Sequence, residues 1–221
     1  MPRTARASRA DIVYHVMSRG NARAAVFLDD SDYVAFVALL RRAIGRIPMR
    51  LFAWCLMPNH FHFVLQPHGA PDLGRWMHWL LTAHVQRHRV RYQTIGRIWQ
   101  GRFTALPIQQ DGHLLAVLRY VERNPVRAGL VRTAESWPWS SMHLRRSNSD
   151  LLLSRPPIEL PSNWRAFVNR PLGADPLEKI REAIRRGRPF GEREWTVETA
   201  DQLGLTSSLR PRGRPRGLIA G

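Results

Sequence analysis

Apolar and polar positions along the first two thirds of this chain fall into two rhythms, and each change of rhythm marks an element. DIVYHVMSRG, Asp11 to Gly20, is rich in β-forming residues and stops at a Gly-Asn pair, which predicts a first strand. In DDSDYVAFVALLRRAIGRI, Phe36, Leu39, Leu40 and Ala43 recur at helical spacing, with Ser31 or Asp32 as the expected cap. MRLFAWCLMP and HFHFVLQP read as two strands around an MPN turn, the second ended by Pro67. PDLGRWMHWLLTAHVQRHRVRY carries a helical stripe of Leu73, Trp76, Met77, Leu80, Leu81 and His84, and Arg87, His88, Arg89 and Arg91 crowd its end. IGRIWQGRFTALPIQ, spaced by glycines, predicts a loop and a strand. Asp111 then caps a helix, GHLLAVLRYVERN, which Pro125 interrupts and Gly129 closes. The order β-α-β-β-α-β-α predicts an α+β fold, a sandwich with helices on a mainly antiparallel sheet.

Past SWPWSSM the texture changes. The stretch 146–175 is rich in Pro, Ser and Arg with little periodicity, which predicts a linker or irregular wrap after a main domain at 1–145. PLEKIREAIRRG and EREWTVETADQLGL predict two short helices within a basic extension, 176–221. That extension ends in LRPRGRPRGLIAG, too rich in Arg, Gly and Pro to build a core.

Charge adds what patterning does not supply. Of the 221 residues, 34 are Lys or Arg against 17 Asp or Glu, a net charge of +17. All but one of the basic residues, Lys179, are arginine, whose planar fork matches phosphate oxygens and stacks on bases. Nucleic acid is the expected partner. Cys55 is the only cysteine, which excludes an intramolecular disulfide and a cysteine-rich zinc site. No apolar run approaches the roughly 20 residues of a membrane helix, and the basic N-terminus lacks the apolar core of a signal peptide, so a cytoplasmic protein is expected.

The candidate chemistry starts at His60 and His62. A strand sends both to one face while Phe61 and Phe63 take the other, and at ~6.5–7 Å between Cα atoms both rings can reach one metal ion or one phosphate. Taken alone, the pair fits a solvated strand face equally well. The helix HLLAVLRYVERNPVRAGL buries Leu114, Val117, Leu118 and Val121 and carries Tyr120 and Asn124, four apart, on the flank of that face. A tyrosine packed with its hydroxyl toward water, and an asparagine ending the helix before Pro125, remain open readings of those two residues.

Together these residues resemble a known constellation. His60-Phe61-His62 is similar to the H-U-H motif, with U a bulky apolar residue. RYVERNPVRAGLV resembles the tyrosine helix of the single-tyrosine HUH transposases, closest to their REP-associated branch. YHVMSRGN, WCLMPNHFHFVLQP, IWQGRF and WPWSS follow in that family's usual order, so the resemblance spans residues 10 to 145.

The resemblance implies a ferredoxin-like or RRM-like core. It implies Tyr120 as nucleophile, a covalent 5′-phosphotyrosine and a free 3′-hydroxyl that later rejoins DNA. His60 and His62 become ligands of Mg²⁺ or Mn²⁺, with Asn124 at the position of the third ligand. The implied substrate is single-stranded or hairpin DNA of REP-like palindromes, handled by a monomer. Tyr14, Arg19, Asn21 and Arg102 are candidate DNA contacts, with the basic end of the 72–92 helix. Arg210 to Gly217 resembles the Arg-Gly-Arg-Pro core of minor-groove-binding AT-hooks and adds Arg212 and Arg214. Two rivals stand beside this reading: a DNA-binding regulatory protein of the same fold with relaxed catalysis, and a water-using metal phosphodiesterase. The second would need a carboxylate or histidine cluster beyond His60 and His62.

Overall fold

The computed structural model describes residues 8–145 and 152–210. Strand β1 (Val13–Arg19) leads to helix α1 (Asp30–Arg46), the hairpin β2 (Met49–Met57) and β3 (His60–Pro67), helix α2 (Asp72–Tyr92), strand β4 (Thr104–Ile108) and helix α3 (Gly112–Glu122). The sheet runs β2-β3-β1-β4, and every neighbouring pair is antiparallel. This is the expected α+β sandwich with a ferredoxin-like strand order.

Strand alternation sorts the sheet's side chains into two layers. Tyr14, Val16, Leu51, Trp54, Leu56, Phe61, Phe63 and Leu65 pack against α1 and α2, whose Phe36, Leu40, Trp76, Met77 and Leu80 are fully buried. Val13, Cys55, Met57, Val64 and Ile108 face the other way, against Leu114, Val117, Leu118 and Val121 of α3. The β2–β3 register shifts between Leu51 and Ala53, so Phe52 and Ala53 both enter the α3 layer, as a bulge permits.

Helix α1 begins earlier than its sequence suggests. Asp29 is the cap, accepting from the backbone N–H groups of Ser31 and Asp32. Asp32 is buried instead, accepting from the Leu28 N–H and the Tyr92 hydroxyl. Asp111 caps α3 as expected, accepting from His113 N–H.

Packing crosses the sequence boundaries at 145 and 175. The short helices α4 (Asn124–Arg127), α5 (Ser141–Leu144) and α6 (Trp164–Asn169) lie against the α3 layer, as does α7 (Ala174–Arg186) through Ile180, Leu177 and Ile184. Helix α8 (Arg193–Gln202) leads to Leu203, which joins the α1/α2 layer. The same segment occupies both outer strands. On β2, Leu56 N–H donates to Trp139 O and Ser154 N–H to Leu51 O; on β4, Phe190 N–H donates to Pro107 O. Among the described residues, no helix is long and apolar enough to cross a membrane.

Candidate functional site

Cross-strand register places the histidines before any side-chain geometry is considered. His60 pairs with Arg19 and Met57, and His62 with Met17 and Cys55, so both imidazoles project into the α3 layer. Their ring centroids are 4.9 Å apart at an interplanar angle of 88°. One turn of α3 brings Tyr120 over them, with its ring centroid 5.8 Å from that of His62. Tyr120 is 6% exposed.

The two imidazoles are held from behind. Asn59 Oδ1 meets His60 Nδ1 at 2.6 Å, and His15 Nε2 meets His62 Nδ1 at 2.8 Å with the rings stacked. With a proton on each Nδ1, both Nε2 atoms keep their lone pairs, and that of His62 is buried without a partner. That is how an outer partner fixes a metal-binding tautomer. Burial pushes the His15 pKa down to about 3. Burial, then the charges of Arg19 and Arg127, push His60 down to about 4. His62 is driven well below the usual histidine range, first by burial. All three are neutral at pH 7, the form in which imidazole binds a metal.

The helix end supplies the third group. Arg123 keeps a helical backbone (φ −85°, ψ −4°), so the turn continues from α3 into α4. Pro125 falls in the first turn of α4, where its missing N–H is not needed, and Gly129 at φ +71° ends the helix. Tyr120, Asn124 and Arg127 therefore stay on one stripe at i, i+4 and i+7. Asn124 is fully buried; its Oδ1 accepts from Arg127 Nη2 at 2.6 Å, while its Nδ2 is buried without a partner.

A divalent cation fits this donor set. His62 Nε2 is a buried ring nitrogen with no hydrogen-bond partner, His60 has its Nδ1 tied back, and the Asn124 carbonyl oxygen retains a second lone pair. Two imidazole nitrogens with one amide oxygen suit Mn²⁺ at least as well as Mg²⁺. Among the described residues no three His, Cys, Asp or Glu side chains cluster as a metal site. Glu122 belongs to the scaffold: fully buried, it accepts from Ser141 Oγ, Arg145 Nε and Trp164 Nε1 at 2.6–2.8 Å.

The candidate DNA contacts fare unevenly. Tyr14 is 2% exposed in the α1/α2 layer, where its hydroxyl accepts from Arg9 N–H, so it cannot stack on a base; strand parity turns it away from the histidines. Arg102 lies on the rim of a mostly apolar cavity of about 580 Å³ beside α2 and Tyr14, apart from the histidines. Asn21 is exposed in the turn after β1. Arg19 is at the site: its charge acts on both imidazoles, and its Nε is buried without a partner. At the end of α2, Arg91 pairs with Asp29 and Arg89 donates to Gly96 O. Arg212 and Arg214 lie outside the described residues.

Sequence reading missed His15, Asn59 and Arg127. Arg127 was visible as the i+7 position of the Tyr120 stripe. His15 needed the β1–β3 register, which no local pattern carries.

Residues 8–124 match the family model described as "Transposase IS200 like". A putative REP-associated tyrosine transposase of Haemophilus influenzae is 29% identical over 125 residues, 51% of this chain and 70% of that protein. The REP-associated tyrosine transposase of Escherichia coli K12 is 28% identical over 111 residues, 48% of this chain and 64% of that protein, so this chain covers just under two thirds of it. Among solved structures, a REP-associated tyrosine transposase bound to a REP hairpin superposes with a TM-score of 0.52 at 19% identity, covering 73% of this chain and 96% of that one.

Proposed function

The chain belongs to the IS200-like transposase family, and from that premise we propose that it cuts and rejoins REP-like hairpin or single-stranded DNA through a 5′-phosphotyrosine on Tyr120. The observation that carries this reading is Tyr120 over two neutral imidazoles whose outer nitrogens are tied back by Asn59 and His15.

His60, His62 and Asn124 would hold the metal ion. A divalent cation in their grasp supplies charge to the non-bridging oxygens as the phosphodiester opens. Tyr120 attacks phosphorus, the phenol loses its proton, and the 3′-oxygen leaves. Phosphoester bonds are conserved, so that 3′-hydroxyl can later attack the phosphotyrosine and reseal DNA without ATP. The α1/α2 layer, filled with aromatic side chains, keeps the strand under the histidines rigid, which positioning at a phosphate requires. A monomer is the proposed working form, since the chain's own segments occupy both outer strands of the sheet.

The experiment uses oligonucleotides of the repeats flanking the coding sequence, labelled at either end, with Mn²⁺ and a denaturing protein gel. Label from DNA downstream of the cut is expected on the protein, and Tyr120→Phe is expected to reduce it by at least ~10³-fold. Cleavage without an adduct would assign the attack to water. Tight binding with neither would leave the relaxed DNA-binding reading.

A further inference from the structure

Two guanidiniums stand at the histidine pair, and the chemistry above uses neither. Arg127 donates from Nη2 to Asn124 Oδ1 at 2.6 Å, and its Cζ lies 5.7 Å from the centroid of the Tyr120 ring. Arg19 faces His60 across the β1–β3 ladder, with Nε buried and unpartnered. Both charges act on both imidazoles. Asn124, fully buried, leaves its Nδ2 amide donor unpaired at the same place.

Apart from the two imidazole lone pairs that a cation would take, the site therefore holds more N–H donors than free oxygens to receive them. Of its oxygens, that of Asn124 accepts from Arg127, Asn59 Oδ1 meets His60 Nδ1, and the nearby carboxylate, Glu122, is committed to Ser141, Arg145 and Trp164; the His62 Nε2 lone pair is left for a cation. Buried donors left unmatched are costly, and two positive charges beside neutral rings call for an anion. The anion must offer several oxygens within the span of two guanidinium forks, which describes a phosphodiester. Arg127 is not needed as a helix anchor, because it lies at the exposed end of α4.

We propose that Arg127 and Arg19 clamp the non-bridging oxygens of the scissile phosphodiester without help from a metal ion, Arg127 giving up its hydrogen bond to Asn124 as the phosphate enters. The identity of that phosphate rests on the strand-transfer reading; the clamp itself rests on the donors. The exchange also releases the Asn124 oxygen toward the cation position, so DNA and metal strengthen each other's binding, reciprocally, as linkage requires.

The test is a scan in EDTA. A single neutral methylphosphonate linkage is moved through the single-stranded foot of the repeat oligonucleotide, and affinity is read by fluorescence anisotropy. In the unmodified protein, and in Arg193→Gln at an exposed position on α8, neutralising one particular linkage should weaken binding about tenfold. Arg127→Gln should bind the all-phosphate strand about tenfold more weakly and be indifferent at that linkage. Arg19→Gln should show the same indifference, and Arg127→Lys, which keeps the charge without the fork, should fall between. Circular dichroism checks that each variant is folded. The clamp is overturned if Arg127→Gln stays as sensitive as the unmodified protein at every linkage, or loses no more affinity than Arg193→Gln. Linkage-specific coupling without a covalent adduct in Mn²⁺ would keep the clamp and reject strand transfer; an adduct without coupling would do the reverse.

Discussion

On one side of β3, Phe61 and Phe63 stack at 4.4 Å and meet Phe36 and Trp76. On the other, His60 and His62 stand edge to face beneath Tyr120. Four consecutive residues thus divide by parity between an apolar, aromatic layer and a layer that gathers polar groups. In the first, the large side chains fill space against α1 and α2. In the second, His62 Nε2, His15 Nδ1, Asn124 Nδ2 and Arg19 Nε are buried without hydrogen-bond partners. Unsatisfied polar atoms are rare in buried regions. The first layer leaves Trp54 Nε1, Trp76 Nε1, Trp99 Nε1 and His84 Nδ1 unpaired as well. The layers therefore differ in what surrounds such atoms: apolar and aromatic packing in one, a tyrosine, imidazoles and two guanidiniums in the other.

That contrast breaks most sharply at adjacent residues. His62→Ala should abolish adduct formation, by at least ~10³-fold, in a protein that still melts cooperatively. Phe63→Ala should cost roughly 3–5 kcal/mol in denaturant unfolding yet leave the folded fraction able to form the adduct. If the two effects coincide, the division by parity is wrong. Glu122 sharpens the comparison because it lies on the same helix as Tyr120 but serves the scaffold. Removing this buried partner of Arg145 should cost about 3–5 kcal/mol, with the adduct yield per folded molecule unchanged.

His15 tests whether the outer partner matters. His15→Gln should weaken Mn²⁺ binding about 10–100-fold in a titration without DNA, and an unchanged affinity would remove His15 from the site.

The smallest effect is acid sensitivity, which both layers share. His15 at about 3 and His60 at about 4 lie in one layer, and His84 at about 3, lowered mainly by burial, lies in the other. Free histidine titrates near 6.5, so on acidification the unfolded chain takes up protons first. Their contribution to stability is intact above pH 6.5 and declines as pH falls from there toward 3. His84→Leu should flatten that decline by on the order of 2–4 °C in melting temperature, with no change in adduct formation at pH 7.

The order of elements along the chain, the H-x-H face and the tyrosine helix were legible because each rests on local periodicity. Leu114, Val117, Leu118 and Val121 are all fully buried, as the helical spacing at 3.6 residues per turn required. Contacts made at a distance were not legible. Asp29 rather than Ser31 or Asp32 caps α1 because Asp32 is drawn inward by Tyr92, sixty residues on. His15 was hidden because its partner, His62, lies 47 residues away. Tyr14 looked like an aromatic free to stack, since the sequence marks it as strand without saying which face α2 covers. The wrap after 145 was obscure for a related reason: Trp164 is placed by a hydrogen bond to Glu122, and no periodic neighbour predicts that.

The backbone of Phe190, Trp139 and Ser154 along the two outer strands has a consequence for the molecule's life in a crowded cell. An open strand is a template on which another chain can polymerise, and proteins that must persist unassembled protect such margins. Here the guards come from residues beyond the 8–124 family match. A version trimmed to that match would retain the tyrosine, the histidines and Asn124 but expose both margins, and would be expected to precipitate where the longer chain stays dispersed.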